Sequence, residues 1–174
     1  MDNNVFTIAS AITTRMADSL TDTNGSLVMF GGEDFTLRIN SPGGDAMAGL
    51  RMHAYLSRYP GKIRVEMGAM VAGVASLVAM VGSEIVLHPN SILHLVMPRQ
   101  SVVDGTAEEL LRVADQLDLM SDRIANIYAA RTGKDQDEIL ALMLDETFLD
   151  ASQALEMGFC TEISSELAPV EGAR

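Results

Sequence analysis

A chain of 174 residues that is 48% apolar and 21% charged holds enough apolar material for one buried core, and too much for a disordered tail or linker. Twenty-four Asp and Glu against twelve Lys and Arg leave a net charge of −12, so the counterion release that drives nucleic-acid binding has little to work with and no nucleic-acid partner is expected. The charge is uneven: residues 1–103 carry eight acids and seven bases, residues 104–174 sixteen acids and five bases.

In chain order, Met1-Asp2-Asn3-Asn4 lacks the basic patch and apolar run of a secretory signal, which points to a cytoplasmic chain. Short β-type runs follow at Val5–Ile8, Leu27–Phe30, Phe35–Ile39, Ile63–Met67, Glu84–Leu87 and Ile92–Val96. Helical patterns alternate with them at Thr13–Leu20, Gly44–Tyr59 and Ala72–Val81, the second with Met47, Leu50, His53, Ala54 and Leu56 roughly on one face. The alternation predicts an α/β fold with a largely parallel sheet. Met67–Ser83 is uncharged and close to the lower limit of a membrane span, but Gly68, Gly73 and Gly82 divide it into a strand end and a small-residue helix of a soluble core. No membrane span is expected.

The acidic part reads as helical. Thr106 and Glu109 form a capping box, and Leu110, Val113, Ala114, Leu117, Met120, Ile124, Ile127 and Tyr128 line one face of a long helix until Gly133 stops it. Asp135 with Glu138, and Asp150 with Gln153, start two further helices, the last ending at Gly158. The chain reads as one domain over residues 1–163 with a loose tail at 164–174. The long amphipathic helix predicts self-association, with packing on its own domain as the alternative. Like-charged helices repel, so assembly through it is expected to strengthen as salt rises. A lone cysteine, Cys160, makes no internal disulfide or thiolate cluster and is expected to be a buried thiol in a reducing compartment.

The most specific stretch is Ile39-Asn40-Ser41-Pro42-Gly43-Gly44-Asp45, at a strand end and opening a helix. Consecutive glycines there let the backbone turn tightly and aim N–H groups at a ligand oxygen. It is neither a phosphate loop, lacking Gly-Lys-Ser/Thr, nor a dinucleotide fingerprint. Taken alone it is a tight strand-to-helix turn.

Together with the Gly-rich segment at 68–82, the Gly82-Ser83-Glu84-Ile85 strand start, the long helix, Ala129-Ala130-Arg131-Thr132-Gly133-Lys134, and the stretch from Thr147-Phe148-Leu149-Asp150-Ala151 to Gly158-Phe159, it resembles one family in order. That family is the proteolytic subunit of the Clp protease, especially its phage head-maturation relatives, and the resemblance spans roughly residues 5–163. It implies a crotonase-like β-α spiral with a protruding helical handle, here about Thr106–Arg131, and rings assembled through the handle. It also implies Ser-His-Asp peptidase chemistry, a peptide or a capsid or scaffold protein as partner, and no cofactor or metal. The implied oxyanion donors come from Gly43, Gly44 and Val74.

The departures from that family fall on the chemistry. Gly73 stands at the nucleophile position and Val96 at the histidine position, while the acid falls on Asp145 or Glu146. Glycine cannot attack a carbonyl and valine cannot relay a proton. A displaced dyad is the way out: Ser76 lies one helical turn after Gly73, about 4.5 Å, and His94 lies two residues before Val96, about 6.6 Å along the strand. His53, on a helix, and His88, in a His-Pro-Asn turn, offer no competing arrangement and no metal spacing. Three functions stay open: a catalytically degenerate ring subunit, an active peptidase using Ser76 and His94, and an acyl-transforming enzyme of the wider crotonase superfamily. The last is disfavoured because no acyl-CoA-binding feature is visible.

Overall fold

The computed structural model describes residues 4–21, 30–101 and 104–165. In chain order the elements are β1 (Val5–Ile8), α1 (Thr14–Thr21), β2 (Phe35–Ser41), α2 (Ala46–Leu56), β3 (Ile63–Ala72), α3 (Val74–Ala79), β4 (Glu84–Leu87), β5 (Ile92–His94), α4 (Ala107–Thr132), α5 (Gln136–Leu144), β6 (Phe148–Asp150), α6 (Ala151–Glu156) and β7 (Glu162–Ile163). The main sheet runs β1-β2-β3-β4-β7, every pair parallel. Residue alternation explains its two faces. Phe35, Leu37 and Ile39 of β2 and Ile63, Val65 and Met67 of β3 point into the core. Their neighbours Arg38, Arg64 and Glu66 point out, where Arg38 pairs with Glu66 at 2.9 Å and Arg64 with Glu84 at 2.5 Å.

β3 is longer than its apolar run predicts. Past a register shift between Ile39 and Ser41 it still pairs with β2, Ser41 against Val71, and its last residues also pair with β5, Met70 against Ile92 and Ala72 against His94. β5 in turn pairs antiparallel with β6. The sequence reading missed β6 and β7, which are too short to show a period, and its strand at Leu27–Phe30 lies largely outside the described residues. So does most of the tail read at 164–174.

The second helix is shorter than its pattern and differently phased. Asp45 caps it by accepting from Ala48 N at 2.7 Å, and the side chains turned inward are Ala48, Met52 and Leu56. Met47, 52% exposed, and Ala54 face outward, correcting their placement on the apolar face. α3 is likewise cut to six residues, all buried, because Ala72 belongs to β3. The uncharged stretch 67–83 is thus a strand end, a turn and one short helix. Among the described residues no helix is long and apolar enough to cross a membrane.

The long helix divides into two parts, of which the C-terminal half packs on its own domain. In α4 the buried residues Ser121, Ile124, Ala125 and Tyr128 belong to its C-terminal half, while Leu110, Leu111 and Leu119 of its N-terminal part are exposed. The capping box is complete: Thr106 Oγ1 accepts from Glu109 N, and Glu109 Oε2 accepts from Thr106 N at 2.7 Å. Those bonds hold the Glu109 carboxyl below its ordinary pKa. Gly133, in the left-handed conformation at φ 73°, closes the other end. Thr106→Ala is expected to cost about 1 kcal/mol and to lower the thermal midpoint by about 2–4 °C, read in a circular-dichroism melt.

Candidate active site

The Ser41–Asp45 turn is fixed from both sides. Ser41, buried, donates to Ser10 O at 2.7 Å and accepts from Gly43 N at 3.2 Å. Ile12 N donates to Gly43 O and Asp45 N to Ile12 O, so the loop after β1 forms a one-residue parallel bridge with Gly44. The approach is close enough to require glycine: a Cβ on Gly44 would lie 2.1 Å from Ile12 O. At Gly43 it would lie 2.8 Å from Ala72 O, which places the turn directly against the junction of β3 and α3. Of the three candidate oxyanion donors, the Gly43 N–H is thus already directed at Ser41. Gly44 follows it in the turn, and Val74 opens α3 across the junction.

That junction is Gly73. Its φ of 51° and ψ of −127° lie where an L-residue is strained, the backbone of a sharp strand-to-helix turn that holds a side chain up at the head of a helix. A Cβ built there points at Val96, 3.4 Å from Cγ2, which is ordinary van der Waals contact. Side chains at positions 73 and 96, which the sequence reading matches to the family's nucleophile and histidine, would therefore face each other. Gly73 N also donates to His94 O at 2.9 Å, tying the turn to β5.

The acid position sits on the same strand pair. β5 and β6 pair His94 with Phe148, and Leu95 N donates to Thr147 O at 2.9 Å, so the register carried one step further sets Val96 opposite Glu146. Glu146 has φ 50°, exceptional for a non-glycine residue, and is ion-paired to Arg99. Asp145 caps the end of α5 and is exposed.

The displaced pair does not come together. Ser76 is fully buried, and its hydroxyl donates to Gly73 O at 2.7 Å and lies 2.8 Å from the Tyr128 hydroxyl. It is turned into the core, onto α4. His94 stacks flat on Phe148, ring centroids 3.8 Å apart and planes at 6°, and its buried Nε2 has no hydrogen-bond partner. The reason lies in the helix: one turn beyond Gly73 the side chain points away from the cleft toward the handle, and a helical Ser bonds back to an earlier carbonyl.

Tyr128 is the residue that sequence reasoning missed. Read as one member of an apolar stripe, it is a buried phenol whose hydroxyl bonds Ser76 and lies 3.4 Å from Gly73 O, with its ring edge-on to Phe159. Burial pushes its pKa well above the ordinary tyrosine value, and the Ser76 bond pulls it partly back. A tyrosine in a stripe of aliphatics, with an unexplained buried serine elsewhere, was the available signal. Cys160 is buried as expected, and burial raises its thiol pKa. His53 and His88 lie apart from the cleft, on α2 and in the turn after β4. No group of three or more His, Cys, Asp and Glu able to hold a metal occurs among the described residues.

The family model for Clp protease matches residues 1–166. The chain is 27% identical over 149 residues to the ATP-dependent Clp protease proteolytic subunit of Staurastrum punctulatum, covering 82% of this chain and 74% of that one. It is 26% identical over 155 residues to proteolytic subunit 2 of Thermobifida fusca, covering 86% and 76%. Among solved structures, a mutant of ClpP1 from Listeria monocytogenes superposes with a TM-score of 0.83 at 20% identity, covering 95% of this chain and 93% of that one. With a mixed α/β fold shared along nearly its whole length and the family model matched from residue 1 to 166, the chain belongs to the Clp protease family.

Proposed function

We propose that this chain is a catalytically degenerate subunit of the Clp protease family, one that assembles into a ring and contributes surface and scaffold rather than peptide hydrolysis. The observation that carries the reading is Val96 in front of Gly73: a Cβ at position 73 would lie 3.4 Å from Val96 Cγ2, with neither a hydroxyl nor an imidazole at the pair. The glycine turn, the strained strand-to-helix junction and a carboxylate opposite Val96 are all present. Such a site can hold a carbonyl oxygen against backbone N–H groups, but it has neither an oxygen or sulfur to attack the carbon nor a base to accept the proton. Ser76 does not supply the missing nucleophile, because its hydroxyl is committed to Tyr128 and Gly73 O in the core.

Ring formation is proposed from family membership and from the exposed leucines on the projecting half of α4. A peptide, or a capsid or scaffold protein of a phage, as the partner follows from the resemblance of the sequence, as does a cytoplasmic setting. The test joins a fluorophosphonate probe to light scattering. The native chain is expected to stay unlabelled and to run as an oligomer that grows more stable as salt rises, since α4 is acidic. Labelling that disappears in Ser76→Ala would overturn the degenerate reading in favour of a displaced peptidase site, and a monomer would overturn the ring.

A further inference from the structure

The turn that leads from α5 into β6 holds a strained residue. Thr147 N donates to Leu142 O at 3.1 Å and Glu146 N to Met143 O at 3.3 Å, the bond pair that closes a helix through one left-handed residue, a place usually taken by glycine. Here that residue is Glu146, at φ 50°, the one non-glycine residue with positive φ among the described residues. A side chain in this conformation destabilises the turn, so closing α5 gives no reason for a glutamate. Its carboxylate supplies one, because it is ion-paired to Arg99 on the segment that leaves β5.

The end of β5 needs a tie at this point. Among the described residues β6 is three residues long and pairs only with β5. Gly73 N donates to His94 O at 2.9 Å, and Leu95 N donates to Thr147 O at 2.9 Å. Val96 stands one residue past the second bond, and Pro98 has no N–H with which the ladder could continue. Ladder ends of this kind fray. Val96 is nonetheless partly buried and lies in front of position 73, where a Cβ would meet its Cγ2 at 3.4 Å. The register sets Val96 opposite Glu146, and Arg99 follows three residues later, so the ion pair joins the two chain segments just beyond the last ladder bond.

We infer that Glu146 is a positioning residue: its ion pair with Arg99 clamps the free end of the β5–β6 ladder and so seats Val96 against the strand-to-helix turn at Gly73. The left-handed backbone at Glu146 is kept because the carboxylate is used. Both partners are more than half exposed, so the clamp is a weak and reversible tie, and when it opens Val96 is free to leave the front of position 73.

Amide hydrogen exchange at Leu95, followed in the full chain under one set of conditions, reads the clamp. Glu146→Gln and Arg99→Ala are each expected to speed that exchange about 2–5-fold, the range an exposed ion pair can supply. The double variant is expected to exchange no faster than either single one, since both remove the same tie. Glu146→Gly controls for a role in the helix end alone. Glycine relieves the left-handed backbone, so this variant should have a higher denaturant midpoint than Glu146→Gln and still exchange fast at Leu95. Unchanged exchange in the single variants, effects that multiply in the double variant, or slow exchange restored by Glu146→Gly would each overturn the clamp.

Discussion

A Gly73→Ser, Val96→His double variant is expected to be labelled by a fluorophosphonate, while the native chain and both single variants are not. The geometry leaves room for the change. A Cβ at position 73 meets Val96 Cγ2 at 3.4 Å and nothing else within 4 Å, so a nucleophile and a base placed there start as neighbours. The backbone at φ 51° resists any L-residue, and the first substitution should cost about 1–3 kcal/mol of stability. Gly43 lies against the Ala72–Gly73 backbone, and the register sets Glu146 across the strand pair from position 96. Because Arg99 holds Glu146, the base will be imperfectly oriented, so slow labelling of the double variant is expected. Mass spectrometry should place the adduct at position 73. A folded double variant that resists the probe would show that the backbone donors are no longer aligned, and the site would then be degenerate in its frame as well as in its side chains.

Much of this architecture was legible in the residues, and the illegible parts have identifiable causes. Caps and stops read well because they are local: Thr106 with Glu109, Gly133, and Asp150 with Gln153 all sit where expected. Strands buried on one face read well by alternation, as in β2 and the first half of β3. The second half of β3 did not, because the register shift breaks the period, and β6 and β7 have too few residues to show one. At the site, Gly73 and Val96 are singled out by their order in the chain, and the fold sets Val96 Cγ2 3.4 Å from where a Cβ on Gly73 would lie. Proposing Ser76 and His94 as a pair failed for a three-dimensional reason. Spacing along a helix and along a strand says how far each residue has moved, but not that Ser76 turns toward a tyrosine 52 residues away.

The turn around Gly73 is tightly specified. Gly44 tolerates no Cβ against Ile12, Ser41 secures both Gly43 and the loop after β1, and position 73 has a backbone that favours glycine. These features tie β1, β2, β3 and α3 to one another, so they contribute to folding whether or not a peptide is cut. Glycine at position 73 also avoids the strain that a serine would carry there, about 1–3 kcal/mol.

Tyr128 joins the handle to the turn, and its removal is expected to have the largest effect on stability of any change considered. The ring is buried in the core against Phe159, so Tyr128→Ala should cost about 3–5 kcal/mol. Tyr128→Phe keeps the ring and deletes the hydroxyl, for about 1–2 kcal/mol, because Ser76 retains Gly73 O as an acceptor. Denaturant titrations of Tyr128→Phe, Ser76→Ala and the double variant separate a linked pair from two independent bonds: a coupling of about 1 kcal/mol is expected, and simple additivity would mean that the handle and the turn are held separately. The phenol adds a second readout with a definite sign. Its pKa is raised in the folded chain by burial, so above about pH 10 the unfolded chain releases this proton while the folded chain keeps it. Stability should therefore fall as pH rises through that range, and Tyr128→Phe should fall less steeply by the contribution of one proton. A helix anchored to the junction through one buried hydroxyl also predicts that the C-terminal half of α4 resists hydrogen exchange as strongly as the sheet, while its leucine-bearing N-terminal half exchanges quickly in any free subunit.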